Sequence, residues 1–366
     1  MRRWPYTFIV GVSVAIGITV LVASNHVGLS LKDPEGFLGP AYVRLPLIAV
    51  LMFSAGIVPQ AIHRYGIKRI PHGVREIIRT EWTWYRFSHI AVGLLAFYAC
   101  YVSYRNLKSY LPLLREDLYD NALQRMDYWM FFGNYPATIM HDVLGTGVSA
   151  QVLATIYISY LMLIPITLGA YLVLHKDASI GAWYATALSL NWVLGTASYY
   201  MLPTQGPAFF QPQLFRELDG SGASALQQSL FRNGSAFRED PTGDSIYGIA
   251  GFASLHVSVV FTACLFFERT GIPRTLRVVA WTYFAGTVLA TVYFGWHYVL
   301  DDIGGLVIGW ASVSLGAWAT GNSGRNLKKE RRARERAEAG SGEGPPGGSQ
   351  STAGDEGAGG TVVSTA

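Results

Sequence analysis

Eight charge-poor apolar runs limit what this chain can fold into: Thr7 to Leu29, Leu45 to Ile62, Ser88 to Tyr104, Ser149 to Leu174, Ala178 to Met201, Ser254 to Phe267, Val278 to Val299 and Ile303 to Thr320. A helix needs roughly 20 predominantly apolar residues to cross a bilayer. The runs approach that length, with the sixth short and the third marginal. Only 14% of the 366 residues are charged, where a soluble chain carries about a quarter. The expected fold class is all-α, a polytopic integral membrane protein with about eight transmembrane helices. The first run follows Met1-Arg2-Arg3 but is long and has no small-residue cleavage site, so it reads as a retained helix rather than a signal peptide.

Short basic loops stay cytoplasmic, which sets the orientation. Arg2 and Arg3, the group Arg64, Lys68, Arg69, Arg75, Arg79 and Arg86, then Lys176, then Arg269, Arg274 and Arg277, and last Arg325 to Arg336 all fall on one side if there are eight crossings. Both termini are then cytoplasmic in a multi-pass protein of the cell membrane. The net charge of +4 comes largely from that side and suits anionic lipid headgroups. No nucleic-acid motif accompanies it. Cys100 and Cys264 lie inside apolar runs and read as small core residues. Three parts follow: residues 1–87 with the N-terminal helices and basic loop, 88–320 as the catalytic membrane domain, and 321–366 as a tail. The tail is Gly/Ser/Pro/Glu-rich after a basic stretch and too poor in apolar surface to order itself.

The opposite loops are Ser30 to Arg44, Arg105 to Val148 and Leu202 to Gly251. The second is too polar to span, yet rich in Leu, Met, Tyr and Trp. Its aromatics suit the membrane interface, and helices lying in the bilayer plane over a lipid-entry cleft are one reading. A packing belt without chemistry is the other, with Pro112, Gly133 and Pro136 as loop breakers.

The chemistry gathers at two run ends. In TVYFGWHYVLDDIGG, His297 and Asp301 stand four residues apart, a spacing that shares one helix face. A carboxylate there holds an imidazole's tautomer and stabilises its charged form. In GFASLHVS, His256 opens an apolar run as His297 closes one, so the topology brings both to the same external membrane face. Asp302 is expected to face elsewhere. A histidine alone is more often structural, but ionisable groups at membrane depth carry a functional hypothesis. No zinc-ligand spacing is present, and the expectation is a site with no metal and no cofactor.

The segments PTQGP, ASLH and TVYFGWHYVLDDIGG together resemble the type 2 phosphatidic acid phosphatase superfamily, over roughly Arg105 to Gly305. Its second and third motifs end in Ser-Gly-His and His-x-x-x-Asp. The narrower likeness is to the branch containing fungal inositol phosphorylceramide synthase, where the second motif reads Ser-Leu-His, as Ser254-Leu255-His256 does. That branch begins its third motif with Thr, here Thr291, where the phosphatases have Arg. The N-L-K stretch ending at Lys108, with the Asp- and Gly-containing segment after it, also resembles that branch.

The resemblance implies a six-helix phosphatase-like core in which His297 attacks phosphorus, Asp301 orients it, and His256 protonates the leaving oxygen. It implies substrate contacts from Ser254, Leu255, Thr291, Lys108, Pro203 and Gln205, including backbone amides near Ser254 and Leu255 at a helix start. Three departures stand out. Ala253 replaces the usual proline, Thr291 removes an arginine, and Ala208 and Phe209 follow PTQGP where relatives place an arginine. Lys108, Arg105 and Arg216 are the cations left to meet a phosphate.

The expected activity is phosphotransfer on a lipid phosphate or phospholipid at the external face. A polyol acceptor such as inositol makes it a phosphotransferase, and water makes it a lipid phosphate phosphatase. The reading from another class is a noncatalytic lipid-binding or transport protein. The sequence leaves the oligomeric state open.

Overall fold

The computed structural model describes residues 4–32, 41–175, 177–218, 220–243, 247–249 and 251–323, with the side chains of 41–46, 48 and 49 excepted. Arg2, Arg3, Lys176, the basic stretch Arg325 to Arg336 and the tail from residue 324 on lie outside the described residues. In chain order the helices are α1 (Thr7–Val27), α2 (Ala41–Tyr65), α3 (Ile70–Glu81), α4 (Trp84–Leu114), α5 (Asp120–Met130), α6 (Pro136–Leu144), α7 (Val148–Gly169, extended by one π-helical turn to Leu174), α8 (Ala178–Met201), α9 (Pro207–Phe210), α10 (Gly222–Glu239), α11 (Leu255–Arg269), α12 (Arg274–Tyr293) and α13 (Val299–Ala319). No strand occurs among the described residues. The protein is all-α and polytopic.

Each of the eight apolar runs lies largely in a helix, the seventh running past the end of α12 at Tyr293 into the turn before α13. Among the described residues, five stretches are long and apolar enough to cross a membrane: Thr7–Val27, Trp84–Leu114, Val148–Leu174, Arg274–Tyr293 and Val299–Ala319. The helix α11 has only 15 residues. The helix α8 has 24, but it is packed among α4, α11 and α13, and a helix enclosed by protein can carry polar groups. Its Asn191 amide donates to the Ala187 carbonyl at 2.8 Å and to Thr262 at 3.1 Å, and the Ser258 hydroxyl donates back to Asn191.

The third run differs from expectation in its length. The helix α4 continues ten residues past Tyr104 to Leu114, through residues that hydropathy assigns to an external loop. Protein surrounds that end, so its polar side chains are satisfied internally. The Asn106 amide donates to the Val102 carbonyl at 2.9 Å and the Lys32 carbonyl at 3.1 Å, and the Tyr200 hydroxyl caps the Leu107 carbonyl at 2.6 Å. Pro112, expected to break a loop, sits inside α4. It removes only the N–H that would reach the Lys108 carbonyl, and the helix ends soon after it.

Close approach of α13 to α11 positions the site. Gly305 and Gly309 lie one turn apart on α13, and a Cβ would meet the Ser254 carbonyl at 2.5 Å from Gly305 and the Ser258 carbonyl at 2.7 Å from Gly309. Small residues at this spacing let membrane helices pack backbone to backbone. The indole N–H of Trp183 ties α8 to the Val313 carbonyl at 2.8 Å. We expect Gly305→Ala and Gly309→Ala each to destabilise the protein by about 1–3 kcal/mol through overpacking, read as a lower midpoint in detergent thermal unfolding. Gly17→Ala on α1, where nothing lies within 4 Å of the added atom, is the control. Unchanged midpoints for all three would contradict this account of the α11–α13 contact.

Candidate active site

The turn between α12 and α13 carries His297. The amides of Trp296 and His297 both donate to the Thr291 carbonyl, at 2.9 and 3.3 Å, and unwind the end of α12. Gly295 turns the chain at φ +64°, a left-handed conformation where a Cβ would strike the Phe215 ring at 2.2 Å. The helix α13 starts at Val299 with Tyr298 as its N-cap. His297 therefore precedes the helix, and a capping turn, not a shared helix face, brings it to Asp301. Asp301 Oδ2 accepts the Tyr298 N–H at 3.0 Å and lies 3.3 Å from His297 Nδ1. Because a carboxylate accepts, the proton is assigned to Nδ1, which leaves Nε2 with its lone pair.

The same aspartate reaches the second histidine through its backbone. The Ser254 N–H donates to the Asp301 carbonyl at 2.9 Å, and the Ser254 hydroxyl caps α11 at the Val257 amide. The Ser254 amide is thus already committed, so any anion binding at this helix start falls to the amides after it. Leu255 is buried beneath Gly195. His256, half-buried, lies against Tyr157 at a centroid distance of 4.3 Å and Tyr160 at 4.1 Å, and Tyr157 stacks in turn on Trp296 at 5.0 Å. The rings of His256 and His297 are 6.4 Å apart.

Lys108 is 9% exposed. Its ammonium lies 5.9 Å from the Tyr104 ring centroid and 5.2 Å from that of Tyr199, and its charge acts on His297. Among the described residues it forms no ion pair, and burying an ammonium without a counter-charge is costly. Arg105 is half-buried one turn earlier, and Arg216 is exposed. Thr291 does not point at a cation's place. Its hydroxyl donates to Asp302 Oδ2 at 2.8 Å, so Asp302, expected to face elsewhere, is buried beside the site. Pro203 offers its carbonyl to the Tyr119 N–H at 2.9 Å, and Gln205 donates its N–H to Asp120 at 3.0 Å.

Two aspartates of α5 were not recognisable as site residues in the sequence. Asp120 Oδ1 accepts from the Gln205 N–H, the Gly206 N–H and the Tyr298 hydroxyl, each at 3.0 Å. Asp127 Oδ2 accepts the first amide of α13, Val299 N–H, at 3.1 Å. They stand seven residues apart on the face that also buries Leu123 and Gln124, and that amphipathic spacing was the only available signal. Thr204 completes the brace, its hydroxyl accepting the Phe252 N–H at 2.8 Å and its carbonyl the Gly251 N–H at 2.8 Å.

Burial pushes the His297 imidazole down to about 4, against the pull of Asp302 and with the Lys108 charge acting in the same direction as burial. The ring is therefore neutral at physiological pH, as a nucleophile must be. Burial pushes Asp127 up to about 7, helped by the Asp301 carboxylate and opposed by the Val299 amide.

The family model described as the PAP2 superfamily matches residues 121–315. Comparisons with curated proteins and with solved structures returned no match. The matched region holds both histidines, Asp301 and the PTQGP loop, while Lys108 and Asp120 precede it.

The raised Asp127 value makes the folded state hold that proton more tightly than the unfolded chain. Its stabilisation is complete below the ordinary carboxylate value and is lost as pH rises through about 7. We expect the wild-type thermal midpoint to fall between pH 5 and pH 8 more than that of Asp127→Asn, whose amide oxygen can still accept the Val299 N–H. Parallel curves would contradict this assignment.

Proposed function

We propose, from the premise that this chain belongs to the PAP2 superfamily, that it is a membrane phosphotransferase working through a phosphohistidine at His297. Membership supports lipid-phosphate chemistry of the phosphatase or phosphotransferase type. The observation that carries the finer reading is a neutral His297 held by Asp301, facing His256 across 6.4 Å, beside a buried lysine that lacks an ion pair.

His297 Nε2 attacks the phosphorus of a lipid phosphate or phospholipid, and the bond to the leaving oxygen breaks. Nδ1 keeps its proton and donates it in a hydrogen bond to the Asp301 carboxylate, whose charge offsets the positive charge that forms on the ring. His256 gives its proton to the leaving oxygen, then takes one from the incoming hydroxyl, so one group serves both half-reactions. Dividing the displacement into two steps lowers the barrier of each. Lys108 is the cation placed to neutralise phosphoryl oxygens. The Tyr157 and Tyr160 rings hold the His256 imidazole and line a water-poor wall.

Thr291 and the Ser254-Leu255-His256 sequence favour the transferase branch, with inositol or a related polyol as acceptor. Water in the same place gives a phosphatase. The distribution of basic loops supports cytoplasmic termini and an external site.

One experiment tests acceptor and face together. Right-side-out sealed vesicles containing the protein and a panel of phospholipids and lipid phosphates are given inositol outside, with EDTA present, and products are identified by mass spectrometry. We expect a phospho-linked polyol without permeabilisation, and a loss of about 10³-fold or more for His297→Ala and Asp301→Asn. Free phosphate alone would establish the phosphatase reading. Product only after permeabilisation would reverse the face, and no turnover by the wild type would favour a noncatalytic lipid-binding protein.

A further inference from the structure

The helix α5 has two faces with different partners. Asp120, Leu123, Gln124 and Asp127 point inward, and the two aspartates hold the PTQGP loop and the first amide of α13. At 3.6 residues per turn, Trp129 stands about 180° from Asp120 around the helix. Arg125 shares that outer face, and beyond it toward the α5–α6 turn the exposed surface is apolar. Met126, Tyr128, Trp129, Met130 and Phe132 are all exposed, Trp129 by 82% and Phe132 by 95%. From residue 126 to 132 the only charge is Asp127, which faces inward. Phe132 has φ +53°, a left-handed conformation uncommon outside glycine.

We propose that the α5–α6 tip is seated in a lipid leaflet, and that this seating holds the catalytic turn in place through α5. Three observations favour lipid over water or a protein partner. The tip combines Trp, Tyr and Phe, the residues that collect at membrane interfaces. It leads along the chain through α6, whose Val143 is 76% exposed, to α7, a spanning stretch whose first residue, Val148, is 81% exposed, with only residues 145–147 between the two helices. The helix that follows the tip is tied to the end of the spanning helix α12, since His141 of α6 bonds the Tyr293 carbonyl at 2.8 Å and the Tyr293 hydroxyl donates to the Gly145 carbonyl at 2.7 Å. Arg125, exposed beside the tip, can keep its guanidinium at the headgroups while its stem lies along the apolar surface.

The inward face turns anchoring into positioning. A leaflet holding Trp129 and Phe132 fixes the roll of α5 about its own axis, and with it the carboxylates on the Gly206 and Val299 amides. The seating rests on the membrane fold alone. Its link to catalysis rests on the proposed function, so both readouts below avoid activity.

Nitroxide labels at Trp129→Cys and Phe132→Cys, with Glu239→Cys on exposed α10 as control, are placed in protein reconstituted into phosphatidylcholine vesicles. The native Cys100 and Cys264 are buried. We expect labels at 129 and 132 to collide with oxygen and to be shielded from an aqueous nickel chelate, and the label at 239 to behave in the opposite way. Nickel access at the tip would overturn the proposal in favour of an aqueous loop. Shielding from both reagents with spin–spin broadening would overturn it in favour of a second copy of the chain. For the coupling, the double variant Trp129→Ser/Phe132→Ser should speed amide hydrogen exchange in the 295–299 turn by about tenfold, with α8 unchanged. Unchanged exchange at the turn would show that the tip does not hold it.

Discussion

Asp301 is the joint on which the site depends. Its carboxylate meets the His297 imidazole and the Tyr298 amide, and its carbonyl accepts the Ser254 amide that opens the helix of His256. One residue thus sets the orientation of both histidines. It can do so because Gly305, a turn further on, lets α13 touch the backbone of α11. Burial decides the size of the effect. Asp301 is fully buried, and a hydrogen bond between a neutral ring and a charged group is worth about 1.5–3 kcal/mol. The partly exposed Arg64–Glu81 pair belongs to a class worth about 0–1 kcal/mol.

Around that joint the protein concentrates polar groups in a dry setting. Asp120 and Asp127 brace the His297 turn from α5, Thr291 bonds Asp302, and Lys108 lies between two tyrosines with no ion pair among the described residues. Low dielectric strengthens each satisfied bond and penalises each unsatisfied one. One oxygen each of Asp127, Asp301 and Asp302 lacks a hydrogen-bond partner.

The all-helical membrane fold and the proximity of His297 to Asp301 were legible in the sequence because each depends on a pattern along the chain. Charge-poor runs become helices wherever they lie in a bilayer, and the His297 to Asp301 spacing survives although a capping turn replaces the helix face. The rest depends on what surrounds a residue. Hydropathy assigned Arg105 to Leu114 to a loop because it counts Asn106 and Lys108 as wet, whereas neighbouring segments of the chain satisfy or enclose them. Asp120 and Asp127 belong to no motif, and apart from their amphipathic spacing nothing local reveals that the Gly206 and Val299 amides meet them. Asp302 was placed outside for the same reason, its partner Thr291 being a helix away.

The central claim is that His297 is the residue that carries phosphorus. Purified protein mixed with a radiophosphate-labelled donor panel, quenched within one turnover and digested under alkaline conditions would reveal where the label sits. The account predicts an acid-labile phosphohistidine on the peptide containing His297, absent from His297→Ala and reduced in Asp301→Asn. Label on His256, or steady turnover with no covalent phosphoprotein at any quench time, would contradict it.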